Sequence, residues 1–211
     1  MSDLPEAKLT REFRPMPSAP IITNILLDRD GTIIFDRHYL ADPQGICLLP
    51  RAVEGLQALT SAGLRLFLVT NQSGIGRGYF TLQDFDRVQA RLYSQLLTHA
   101  ISFCDQAACF HSPKAACSCR KPKPGLWTRL SQKHGLQARE SLMIGDKVSD
   151  IQFAENSGLL GSILLLADPH SDQAADLNRR FGSGQGLGRH PSYIAPDLKA
   201  ASEWILAQTS K

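Results

Sequence analysis

Residues 21–27 make a largely apolar run that stops on Asp28-Arg29-Asp30-Gly31-Thr32, where two carboxylates flank one arginine. The run reads as a buried strand delivering acids into a crevice, and the rest of the chain has to supply the cover that keeps such a strand dry. An aspartate just past the end of a central strand can act as a nucleophile, and a second acid two residues on can handle protons beside it. Asp-Gly is also a common turn signal, so the motif alone reads equally well as a polar turn closing a strand.

The remaining pattern decides the fold class. Strands are expected over 21–28, 64–70, 107–110, 141–144 and 162–167. Helices are expected over 50–62, from Thr81 onward, over 125–134, from a Ser149 cap to Gly158, and over 198–207. In the second helix Leu82, Phe85, Val88, Leu92 and Leu96 should share the buried face. Strands alternating with helices define an α/β fold with a doubly wound, mainly parallel sheet. Residues 1–20 carry Pro5, Pro15, Pro17 and Pro20 among charges and are expected to form a flexible arm, leaving 21–211 as a single domain. Residues 168–192, with Gly182, Gly184, Gly186 and Gly188, read as irregular.

Composition excludes several functional classes. The 211 residues carry 23 basic and 20 acidic side chains, a net charge of +3, too slight an excess to make nucleic acid the main partner. The N-terminus lacks the charged and apolar regions of a secretory signal, and no segment approaches the roughly 20 apolar residues that span a bilayer. A soluble, cytoplasmic protein without a membrane partner is expected, as a monomer.

In a doubly wound fold function gathers at the carboxyl ends of the strands. Asp28/Asp30, Thr70/Asn71 and Asp146/Lys147 all fall there, directly after apolar runs. Separated acids with a hydroxyl and a lysine suggest magnesium and a phosphate, the acids holding the hard cation and the donors taking phosphoryl oxygens. The glycines at 74, 76 and 78 have the wrong spacing and place for a dinucleotide loop. They read either as a flexible turn or as a loop that lets backbone amides and Arg77 approach an anion or sugar hydroxyls.

A second signal is Cys109, His111, Cys117 and Cys119, three thiols and an imidazole within eleven residues. Four nitrogen and sulfur ligands make a closed tetrahedral zinc site, hence a structural one. A disulfide is the alternative, disfavoured in a reducing compartment and leaving the histidine unexplained. Cys47 and Cys104 lie apart and read as small buried hydrophobes. Directly after the cluster come Arg120 and Lys121, which zinc could hold toward the crevice, Arg120 as a fork for phosphate oxygens and Lys121 as a point charge. A zinc knuckle binding nucleic acid through Arg120, Lys121 and Lys123 is a rival, but it leaves Asp28 and Asp146 without a role.

With these residues in place the chain resembles the haloacid dehalogenase-like phosphatases. Asp28-Arg-Asp30-Gly-Thr32 matches their first motif, Thr70 the second, Arg120-Lys121 the third, and Gly145-Asp146-Lys147 with Asp150 the fourth. The glycine loop with the Cys/His knot is similar to the heptose bisphosphate phosphatase group, whose close relatives are the histidinol phosphatases. The resemblance implies a magnesium-dependent phosphatase of a soluble sugar bisphosphate in lipopolysaccharide precursor synthesis, with histidinol phosphate as the rival substrate. It further implies that Asp28 attacks phosphorus and Asp30 is the acid and base. Magnesium would be held by Asp28, Asp146 and the main-chain carbonyl of Asp30. Thr70, Arg120, Lys121 and Lys147 would hold the phosphoryl group, and Asp36, Arg37, His38, Tyr39, Asn71, Gln72 and Ser73 would touch the rest of the substrate. Residues 33–50 are too few for a separate cap domain, so that segment and the zinc loop are expected to wall the site.

Overall fold

The computed structural model describes residues 21–167, 176, 177, 179 and 186–209. Six strands form one sheet in the order β3-β2-β1-β4-β5-β6, with every neighbouring pair parallel. In chain order they are β1 (Asn24–Leu27), β2 (Arg65–Asn71), β3 (Asp105–Cys109), β4 (Ser141–Gly145), β5 (Gly161–Leu165) and β6 (Tyr193–Ala195). Among the described residues the helices with defined bounds are α1 (Ala52–Ser61), α2 (Ser73–Gly76), α3 (Leu82–Leu97), α4 (Gly125–His134), α5 (Val148–Asn156) and α6 (Leu198–Thr209).

Alternate side chains of each strand feed two cores, because successive Cβ atoms point to opposite faces. Ile25, Leu27, Leu66, Leu68, Leu142, Ile144 and Ile163 face the side covered by α1, α3 and α6. Leu26, Phe67, Val69 and Met143 face the side covered by α4 and α5 through Leu126, Trp127, Leu130 and Phe153. With both faces covered, the central strands must be apolar throughout, which is why they read as continuous runs. α1 and α6 cross so closely that a Cβ on Gly55 would lie 2.5 Å from the carbonyl carbon and oxygen of Leu198.

The chain leaves β1 toward β2 and β3, then returns to the other side of β1 for β4, β5 and β6. The order therefore reverses beside β1, and the loops after β1, β2 and β4 open a crevice at that switch point.

Several expectations are corrected in detail. Ser149 lies inside α5; the cap is made by the Asp150 carboxylate accepting from Lys147 N at 3.0 Å. Thr81 does cap α3, in a reciprocal box with Asp84, but Leu82 is exposed, since it sits in the first turn ahead of the buried stripe. The glycine loop contains one helical turn, α2, and β6 runs where no element was read. Cys47 and Cys104 are exposed, because each lies in a connecting loop and not on a core-facing element. The 1–20 arm and most of the 168–192 segment lie outside the described residues.

Candidate active site

Asp28 follows the last residue of β1 and is buried, its amide bonded to Ile144 O of β4 at 3.0 Å. The next amide, Arg29 N, donates to Asp28 Oδ1 at 2.7 Å and fixes the carboxylate. Lys121 Nζ meets the same Oδ1 at 3.0 Å and Asp150 Oδ1 at 2.7 Å, and donates to Val69 O at 2.8 Å. Burial alone would depress Lys121, but Asp150 and Asp28 outweigh it and raise its pKa, so the buried cation stays charged.

Asp146 follows β4 and faces Asp28 across the switch point. Thr32 Oγ1 donates to Asp146 Oδ1 at 3.2 Å, and the approach needs Gly31, whose φ is +84° and whose Cβ would stand 2.2 Å from Asp146 Oδ2. Gly145 clears space in the same way for Asp150, 2.4 Å from an added Cβ. Burial first, then the Asp28 charge, lifts Asp146 to about 7; burial and Asp28 lift Asp150 to about 6, against Lys121. Oxygens of Asp28, Asp146 and Asp150 lie within 4.8 Å of one another. Hard oxygen donors that resist simultaneous ionisation at this spacing suit a divalent cation with ligands at about 2.1 Å.

Lys147 reaches Asp36 Oδ2 at 3.1 Å, Asp146 Oδ2 at 3.7 Å and the main-chain carbonyl of Asp30 at 3.5 Å. Burial lowers and these carboxylates raise its pKa, with a net rise. Asp36 is held low: burial opposes this, but the His38 amide and Lys147 prevail. His38 and Tyr39 both adopt positive φ, +45° and +61°, a conformation side chains rarely take outside constrained sites.

The sequence-assigned residues separate into groups. Asp30, Asp36, His38, Tyr39, Asn71, Gln72, Ser73 and Lys147 line one cavity of about 170 Å³. Arg37 is exposed and does not line it. Thr70 is buried, its Oγ1 accepting from Gln72 Nε2 at 2.8 Å. Asn71 clasps the third-motif loop, accepting from Lys121 N at 3.0 Å and donating to Lys121 O at 3.1 Å. Arg120 is not at that cavity, and its Nη1 is buried without a hydrogen-bond partner. Asp36, His38, Tyr39 and Leu40 wall the cavity, whereas the Cys/His loop adds nothing to its lining; Lys121, two residues beyond that loop, pairs with Asp28. Asp150, matched to the fourth motif by resemblance but given no site role from the sequence, joins the carboxylate group; it stands four residues after Asp146, one helical turn on.

Cys109, His111, Cys117 and Cys119 converge with ligand atoms within 4.8 Å. The pairs Cys109–Cys119 and Cys119–His111 stand at 3.2 Å, Cys109–His111 at 3.6 Å and Cys109–Cys117 at 3.8 Å. All five cysteines are free thiols, so the disulfide alternative is not realised. A tetrahedron built on a Zn–S bond of about 2.3 Å has edges near 3.8 Å, which the set approaches. Burial first and then the Cys119 neighbour push the Cys109 thiol up to about 12; only a bound cation would hold it as thiolate at neutral pH. The loop is packed against α2 and the start of α4: a Cβ on Gly76 would lie 2.5 Å from Phe110 O, and one on Gly125 2.6 Å from Ser118 O.

A parallel sheet carrying an aspartate after its first strand, a threonine at the end of its second, and a buried lysine and an acid pair across the switch point defines a hydrolase of the haloacid dehalogenase-like class. The model of the haloacid dehalogenase-like hydrolases matches residues 22–158, and a second, HAD-hydrolase-like, matches 118–201. The chain belongs to this family. D-glycero-beta-D-manno-heptose-1,7-bisphosphate 7-phosphatases of two Helicobacter pylori strains, J99 and 26695, are 38% and 37% identical to it, spanning 71% and 69% of this chain and 87% and 84% of theirs. The solved D,D-heptose 1,7-bisphosphate phosphatase from B. bronchiseptica, complexed with magnesium and phosphate, superposes with a TM-score of 0.75 at 26% identity, over 89% of this chain and 99% of that one. A HAD-like phosphatase from Mesorhizobium loti gives 0.71 at 27%, over 90% and 88%. No helix among the described residues is long and apolar enough to cross a membrane.

Proposed function

We propose that this chain removes the 7-phosphate of D-glycero-D-manno-heptose 1,7-bisphosphate through an aspartyl-phosphate intermediate. The observation that carries the chemistry is the Asp28 carboxylate, fixed by Arg29 N and paired with a buried Lys121 at 3.0 Å. The substrate follows from the relatives named above.

Asp28 attacks phosphorus while the bond to the sugar oxygen breaks, and Asp30 gives that oxygen its proton, so the sugar leaves as an alcohol. Asp30, now a carboxylate, takes a proton from water as it attacks the acyl phosphate, and Asp28 and inorganic phosphate are released. Lys121, Lys147 and Thr70 oppose the charge on the phosphoryl oxygens, and Arg120 is the further cation of this set. Magnesium, when bound, would be held by Asp28, Asp146 and the Asp30 carbonyl, and would supply a charge that offsets repulsion between carboxylate and phosphate. Zinc at Cys109, His111, Cys117 and Cys119 would be structural, fixing the loop that presents Arg120 and Lys121. Asp36, His38, Tyr39, Asn71, Gln72 and Ser73, which line the cavity, serve the non-reacting part of the sugar, whereas Arg37 stands exposed outside it.

Phosphate release with added magnesium, compared across the heptose 1,7-bisphosphate, the corresponding 7-monophosphate and histidinol phosphate, tests the reading. The bisphosphate should have the highest kcat/KM. A preference for histidinol phosphate would overturn the substrate assignment while leaving the chemistry in place.

A further inference from the structure

We propose that Arg29 is a positioning residue for proton transfer: anchored to α3, it fixes the plane and direction of the Asp30 carboxyl that serves the departing sugar oxygen. This rests on the reading of Asp30 as the acid and base.

Arg29 is only 1% exposed and ranks among the largest fully buried side chains of the molecule. A guanidinium is costly to take out of water, and such burial persists where its donors are used. They are used on Asp30. Nε donates to Oδ2 at 3.1 Å, and Nη2 reaches both oxygens, Oδ1 at 3.2 Å and Oδ2 at 3.0 Å, a fork between sequence neighbours. The third arm turns away from the site, Nη1 donating to Gln89 Oε1 of α3 at 3.4 Å, with the guanidinium carbon 5.6 Å from the centre of the Phe85 ring. Gln89 is itself buried. From the other side Gln72 Nε2 donates to Asp30 Oδ2 at 2.8 Å.

A carboxyl on a short side chain can rotate about two torsions, and a single donor leaves it free to turn about the bond. A fork that engages both oxygens does not, because donors on both fix the carboxyl plane as well as its distance. Asp30 is thus aimed by a frame whose far end is a helix that supplies no residue to the substrate cavity. Arg29 contributes to the wall of that cavity, yet at 1% exposure its guanidinium has no open face for a ligand. Its side chain acts through Asp30, while its amide serves Asp28.

The distinguishing measurement uses leaving groups, because a sugar alkoxide needs a proton to depart and a nitrophenolate does not. The readout is kcat/KM, which reports only the steps through departure of the first product. The substrates are heptose 1,7-bisphosphate and p-nitrophenyl phosphate. Arg29→Lys keeps the charge and loses the fork; Gln89→Met keeps the volume and loses the anchor. Arg29→Lys should lose about tenfold or more on the sugar and under about threefold on the aryl ester. Gln89→Met should shift the ratio the same way by less, with KM for the aryl ester unchanged. Equal losses on both substrates, or no loss on either, would overturn the proposal. If Arg29→Lys does not fold, Gln89→Met decides by the same ratio. Asp30→Asn is the control: if it too lacks leaving-group selectivity, the acid and base reading fails first, whereas selectivity in Asp30→Asn with none in the other variants sinks the role of Arg29 alone.

Discussion

At the scale of single residues the site depends as much on atoms that are missing as on those present. Gly31 carries no Cβ where Asp146 needs to be, and its φ of +84° suits no other residue well. Gly31→Ala should cost about 1–3 kcal/mol of stability from backbone strain, read as a lower Tm, and displace Asp146, so that the magnesium concentration for half-maximal activity rises. Asp28→Asn should abolish turnover with the circular dichroism spectrum unchanged, since the amide keeps the shape but cannot form the acyl phosphate; near wild-type turnover would place the nucleophile elsewhere. Much of this set was readable from the chain. Asp28, Thr70, Asp146 and Lys147 each follow an apolar run, and in a parallel sheet that position is the crevice. Asp150 and Lys121 were harder. Asp150 becomes part of the carboxylate group only because one turn of α5 carries it back beneath Gly145. Lys121 sits in a basic, proline-rich stretch whose composition reads as solvated, and its burial arises from tertiary contacts with Asp28, Asp150 and Val69.

At the scale of elements, the Cys/His loop and the α1–α6 crossing make separable demands. Cys117→Ser should lower kcat/KM by about ten- to a hundredfold through loss of the frame that holds Lys121, the range for second-layer support of a reacting group, with the bound zinc measured in the same sample. Loss of zinc with full kcat/KM would reduce the loop to a surface brace. Gly55→Ala, by contrast, forces a methyl toward the Leu198 backbone. It should cost about 1–3 kcal/mol by overpacking, seen as a fall in Tm, with kcat unaltered. The amphipathic stripe of α3 made that helix visible in advance. β6 was not, because three residues, Tyr193–Ala195, are too few to show a period, and its strand character comes from pairing with β5. α2 was hidden for the opposite reason: glycine disfavours helix, and its turn is held by packing, with Gly74 against Phe80 and Gly76 against the backbone after Phe110.

For the whole molecule, the carboxylate cluster sets a pH dependence of stability. Asp146 rises to about 7 in the folded chain, above its unfolded value near 4. A carboxyl shifted upward favours folding below the unfolded pKa, and that contribution is lost as pH rises through the folded one. Metal-free protein should therefore lose Tm between about pH 4 and 7, and added magnesium should flatten the slope; equal Tm at pH 5 and 8 in chelator-treated protein would contradict this. Asp105 works in the other sense: despite partial burial, His134 and Lys133 hold it at about 2, so its contribution is present above about pH 4 and fades as acid approaches 2. The strand order itself was only half legible, since apolar runs announce strands and helices but not which strand lies beside which. That order has a consequence for how the chain is made. Every side chain placed at the reaction centre lies between Asp28 and Asp150, yet the face of α1 stays bare until Leu198, Ala201 and Ile205 of α6 arrive to cover it. On the ribosome, the reactive groups emerge complete while the core that must hold them is still open, so the arrival of α6 decides when they first stand still.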